Sequence, residues 1–69
     1  MRNNDTLDTL ITMAHSYSAN GYDRAAYRLG LHAGKRAARQ GLALADMSDR
    51  CVTDDAVWSG VVDGYYMAM

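Results

Sequence analysis

Sixty-nine residues with one cysteine, no proline and a formal net charge of −1 make one domain (1–69), too short for a large core. A chain of this size buries only about 60% of the surface it exposes when unfolded, so it is marginal without a disulfide, a metal or a partner subunit. Cys51 has no second cysteine to pair with, and His15 and His32 lie far apart; disulfide and metal are thereby set aside, and a homodimer is the expected support.

The first helix is expected from about Thr6 to Ala19. Leu7, Leu10, Ile11, Ala14 and Tyr17 recur at helical spacing, Asn4 or Asp5 can cap the start, and Asn20-Gly21 offers a left-handed stop. His15 falls at the edge of this helix. Asp5 and Asp8 stand where a secretion signal would need a basic start and an apolar run, so none is expected. A lone cysteine also fits a reducing compartment, and the cytoplasm is the expected location.

Asp23 is the natural N-cap of a second helix that Gly41 would end. From Leu42 to Val52 the chain mixes apolar anchors (Leu42, Leu44, Met47) with turn formers (Asp46, Ser48, Asp49), the pattern of an ordered crossover with room for one short helical turn. A third helix starts at Thr53, with Asp54 and Asp55 in its first turn where the helix dipole favours negative charge, and runs towards Met69. The stretch Ala56 to Met69 is fourteen residues long and contains Asp63, against the roughly 20 apolar residues that span a membrane. The expected fold is all-α, a small three-helix domain that does not enter a membrane.

Two rows of small residues stand out. Helix two carries Ala26, Gly30, Gly34 and Ala38 at four-residue intervals, and helix three carries Ala56, Gly60, Gly64 and Ala68 at the same intervals. An interior glycine costs about 1 kcal/mol relative to alanine, a large loss in a small domain, so close approach of two backbones must offset it. The two ladders are expected to face each other in a tight antiparallel pair, within one chain or between two. Beside its ladder helix three carries a second apolar face of Trp58, Val61, Val62, Tyr65 and Met69, which can fill the core or meet a dimer mate or target.

Charge is unevenly distributed. Residues 21–41 hold Arg24, Arg28, Lys35, Arg36 and Arg39 against Asp23, whereas residues 42–69 hold Arg50 against Asp46, Asp49, Asp54, Asp55 and Asp63. At 100° per residue Arg24, Arg28, His32, Lys35, Arg36 and Arg39 fall within about one third of the circumference of helix two. This stripe can be a solvated face, a partner for the Asp-rich half, or a grip on an acidic protein or on phosphates. An isoelectric point near 6.0 makes a poor general nucleic-acid binder, since that affinity rests on many cations. The turn Ala19-Asn20-Gly21-Tyr22 has the length of a helix-turn-helix connection, but helix two starts without the Asn or Gln that reads bases.

Catalysis finds little support in the residues. Gly30, Gly34, Gly60 and Gly64 lie in helical register and not in a phosphate-binding loop, and no nucleophile elbow surrounds any serine. Cys51 beside Arg50 is expected to be a packed thiol. The residues therefore predict a non-enzymatic protein without metal or cofactor. Its partner-binding candidates are Arg24, Arg28, His32, Lys35, Arg39, Trp58, Tyr65 and Tyr66.

Ala26-Tyr27-Arg28-Leu29-Gly30-Leu31-His32-Ala33-Gly34, followed after the crossover by Trp58-Ser59-Gly60, resembles ribosome modulation factor, whose members bind ribosomes. That resemblance implies an RNA-binding modulator. The chain departs from it in an added first helix, in its mild acidity and in Val61-Val62-Asp63. In length, helical composition and lack of catalytic residues the chain is also similar to phage-encoded host-takeover inhibitors, a group that includes quorum-sensing anti-activators and anti-CRISPR proteins. This second similarity implies stoichiometric inhibition of a host regulatory protein, such as a transcriptional activator, in the host cytoplasm. It is the preferred expectation, with the ribosome-associated modulator as the alternative.

Overall fold

Helical periodicity dominates the chain, and the computed structural model is helical throughout its ordered elements: α1 (Asn3–Ala19), α2 (Asp23–Arg39), α3 (Leu44–Cys51) and α4 (Asp55–Ala68). It describes residues 3–51 and 54–69, with side chains for 7–48 and 54–69. Thr53 and the side chains of Asn4, Asp5 and Cys51 lie outside that set; α1 begins at Asn3, ahead of the expected start at Thr6, and Asp54, expected in the first turn of the last helix, is its N-cap instead. The described residues thus hold four helices where the sequence suggests three. The addition is α3, in the crossover, where half-buried Leu44 and fully buried Met47 anchor a helix whose first turn carries Asp46, which suits the helix dipole, and whose interior carries Ser48, a weak helix former.

The first two helices end in the same way. Gly21 (φ 86°) and Gly41 (φ 77°) adopt the left-handed conformation, which costs a glycine nothing sterically. After α1, the Gly21 N–H bonds to the Ser18 carbonyl at 3.0 Å and the Tyr22 N–H to that of Tyr17 at 2.8 Å. After α2, the Gly41 N–H bonds to Ala38 at 3.1 Å and the Leu42 N–H to Ala37 at 3.0 Å. Both are Schellman closures, and the first adds the usual apolar contact, the Tyr17 and Tyr22 rings meeting edge-on at 6.2 Å. Because Tyr22 closes α1 and is also the cap residue of α2, no polar side chain caps α2. Asp23, expected as that cap, is instead the first residue of α2, where its charge suits the helix dipole.

The two ladders meet within one chain, but their direction corrects the expectation. Gly30 lies against Val57, Gly60 and Val61, and Gly34, one turn on, lies against Val61 and Tyr65. Contacts that climb together along both helices mean that α2 and α4 run parallel. The reason is the crossover: a tight turn would reverse the chain, whereas the connection from residue 40 to residue 54, with α3 inside it, is long enough to return to the starting end.

The contact is reciprocal. A Cβ on Gly30 would meet the Val57 carbonyl oxygen at 2.6 Å, and one on Gly34 would strike that of Val61; Cβ atoms on Gly60 and Gly64 would strike the carbonyl oxygens of Tyr27 and Leu31. Each ladder position of α4 lies thirty residues after its counterpart in α2, so the pair has approximate two-fold symmetry. Glycine Cα–H groups aimed at carbonyl oxygens add weak hydrogen bonds, worth about 0.5–1 kcal/mol each, to the dispersion gained at close range.

The two most extensive helix contacts are α2 with α4 and α1 with α2. The buried core joins Leu7, Ile11 and Ala14 of α1, Ala26, Ala33 and Ala37 of α2, Met47 of α3, and Val57 and Val61 of α4. Alanine and glycine on two adjoining sides of α2 let it serve as the central helix. Trp58 and Tyr65 pack half-buried against this core. Among the described residues no helix is long and apolar enough to cross a membrane.

Candidate binding site on the second helix

With two sides of α2 packed, its third side holds the basic stripe. Arg24, Arg28, His32 and Arg39 are exposed, and Lys35 and Arg36 are half-buried. His32, Lys35, Arg36 and Arg39 line a surface pocket of about 490 Å³, and Leu10 of α1 forms its apolar wall. The four follow from sequence spacing: positions i, i+3, i+4 and i+7 share a helix face and here span about 10 Å.

Among the described residues no hydrogen bond or ion pair engages any of these six side chains. Like charges three and four residues apart on a helix repel by about 0.2–0.5 kcal/mol per pair. The stripe holds Arg24 with Arg28, Lys35 with Arg39 and Arg36 with Arg39 in that relation. The helix dipole relieves part of this for Arg36 and Arg39 in the last turn.

Of the expected binding residues, His32, Lys35 and Arg39 come together at the pocket, while Arg24 and Arg28 lie upstream on the same helix and do not line it. None of the expected aromatics lines it either. Trp58 is half-buried, and Tyr65 gives its hydroxyl proton to the Leu42 carbonyl at 2.6 Å, tying α4 to the end of α2. Tyr66 is 61% exposed and meets Tyr65 edge-on at 6.2 Å; with Met67 and Met69 it forms an exposed apolar end to α4. Leu10, which completes the pocket, reads in the sequence as one more core position, and only the packing of α1 on α2 distinguishes it.

A second polar cluster joins α1 to α4. Asp54 caps α4 by accepting from the Val57 N–H at 3.3 Å, accepts from the Ser18 hydroxyl at 2.9 Å, and faces His15 Nδ1 at 3.3 Å. Burial opposes ionisation of this carboxyl, but the hydrogen bonds from Ser18, Val57 and His15, together with the His15 charge, hold it below the usual carboxylate range. Serine, histidine and aspartate thus meet, yet in the wrong order for nucleophilic catalysis, because the hydroxyl donates to the carboxylate and not to the imidazole. On the other side of α4, Tyr27 donates to Asp63 at 2.5 Å, and this bond, with desolvation and the Asp63 charge, raises the phenol above its ordinary value. Among the described residues no group of histidine, cysteine and carboxylate side chains is placed to hold a metal ion.

Compared with protein-family models, curated proteins and solved structures, the chain finds no match.

Proposed function

We propose that this chain is a non-enzymatic binding protein that docks the basic face of α2 on an acidic surface of a regulatory protein and modulates it stoichiometrically. One observation carries the reading: in a chain of net charge −1 with eight aspartates, the six side chains of the stripe have no partner among the described residues. Structural use of these cations would place carboxylates beside them. Electrostatic complementarity of this kind steers encounter and selects partners. The host-takeover inhibitors noted above would act in this manner, and an activator or another regulator rich in carboxylates is the class of target. The exposed Tyr66, Met67 and Met69 offer a separate apolar surface that suits a second copy of the chain.

The test is affinity capture from a cell lysate with tagged protein, with and without nuclease. A stoichiometric protein partner that survives nuclease and is lost when Arg24, Arg28, Lys35 and Arg39 are all replaced by alanine supports the reading. Capture that vanishes on nuclease treatment overturns it in favour of an RNA-bound modulator.

A further inference from the structure

The pocket between α1 and α2 is more than a positive patch, because its two walls differ. One wall is basic, with His32 beside the cations Lys35, Arg36 and Arg39, and the other is the side chain of Leu10, which packs against the core and is thereby fixed in place. We propose that this pocket recognises a short acidic peptide segment in which a leucine-like side chain lies on Leu10 while flanking carboxylates pair with Arg36 and Arg39. This rests on the protein-binding reading above and adds the sequence that is recognised.

Three observations favour a peptide. The volume of about 490 Å³ suits one branched side chain with its neighbours, and the cations span about one and a half to two helical turns, too short a track for a polynucleotide. Arginine presents a planar fork that accepts a carboxylate through two parallel bonds. No aromatic side chain lines the pocket, whereas single-stranded nucleic acids are held by stacking their bases on aromatic rings. An apolar wall beside cations adds affinity only for a ligand that brings an apolar group next to its charge.

The experiment is an NMR titration of the full ¹⁵N-labelled chain with the capped peptide Glu-Glu-Leu-Glu-Glu. Comparison probes are the same peptide with glycine at the centre, the same with glutamines for glutamates, and an oligouridylate of equal charge. The expected result is saturable shifts at the amides of Leu10 and of residues 32–39, with binding at least about fivefold weaker for either altered peptide. Arg36→Ala with Arg39→Ala should weaken binding by about tenfold, and Arg24→Ala with Arg28→Ala by less than about twofold. Arg36 is half-buried, so circular dichroism checks that both double variants stay folded. Absence of saturable shifts at the pocket, equal binding of the glycine-centred peptide, or tighter binding of the oligouridylate overturns the assignment. A nuclease-resistant partner that depends on Arg24 and Arg28 but not on Arg36 and Arg39 overturns the pocket alone and leaves the protein-binding reading standing. Capture abolished by nuclease overturns both.

Discussion

Gly30 and Gly60 face each other with no side chain between them: a Cβ on Gly30 would stand 3.1 Å from the Gly60 Cα, and one on Gly60 would stand 3.0 Å from the Gly30 Cα. Helix propensity alone favours alanine over glycine at each position by about 1 kcal/mol. Packing predicts the opposite sign. Gly30→Ala would press a methyl group to 2.6 Å from the Val57 carbonyl, and Gly64→Ala would drive one into the Leu31 backbone, where no rotamer change can yield. Each should lose about 1–3 kcal/mol in urea unfolding, with leucine worse than alanine. Melting at or above the wild-type temperature in both alanine variants would show that α2 and α4 do not touch here.

Asp54 makes stability depend on acid. Its folded-state carboxyl titrates below its unfolded value, so its contribution is fully present above the unfolded pKa of about 3.9 and is lost as pH falls through the folded one. Unfolding midpoints measured between about pH 6 and about pH 2.5 should fall most steeply below pH of about 4. Asp54→Asn retains an acceptor for the Val57 N–H but not the charge, and should flatten that fall. Asp54→Ala removes the cap as well and should cost about 1 kcal/mol at neutral pH. An unchanged acid profile in Asp54→Asn would mean that other carboxylates govern it.

Periodicity and small-residue spacing are local properties, and they make much of this architecture legible in the sequence. The Gly21 and Gly41 stops, the buried faces of Leu7, Ile11 and Ala14 and of Val57 and Val61, and the meeting of the two ladders follow from them. Direction does not, because a four-residue ladder looks the same from either end; only the length of the crossover decides it. The α3 helix is hidden for a related reason, since Asp46, Ser48 and Asp49 read as turn formers in the sequence, and the burial of Met47 that holds the helix is not a local property. The basic stripe is visible by angle, but its division into a pocket-lining half and an upstream half depends on where Leu10 of α1 lies. The Asp54 cluster joins residues 36 and 39 positions apart, beyond the reach of any local pattern.

Self-association is expected from what remains uncovered. Nine apolar side chains are buried among the described residues, three of them alanines of α2 and one Ala14 of α1, while Tyr66, Met67 and Met69 stand exposed together at the end of α4. Light scattering coupled to size exclusion at micromolar concentration should report about twice the 7.6 kDa of one chain, and Tyr66→Arg should return it to a monomer. A monomer at every concentration, with a high melting temperature, would refute the dimer.

The last prediction separates protein docking from RNA binding through the separate work of Arg24, Arg28, Lys35 and Arg39. Four single alanine variants are titrated against the captured partner at several salt concentrations. Protein interfaces concentrate affinity in a few desolvated anchors, and charges at their rim matter little. The pocket position of Lys35 and Arg39 then makes their losses large and those of Arg24 and Arg28 small, since the latter lie outside it. Trp58→Ala is no clean probe, because this side chain packs against the core; Tyr66, being 61% exposed, is the aromatic whose replacement tests docking on α4 without disturbing the fold. On RNA, each cation that touches a phosphate displaces counterions alike, so each removal should weaken binding by a similar factor and lower the salt slope by about 0.9. Uneven losses with a shallow slope support docking on an acidic protein; equal losses with a steep slope transfer the stripe to a ribosome-associated role.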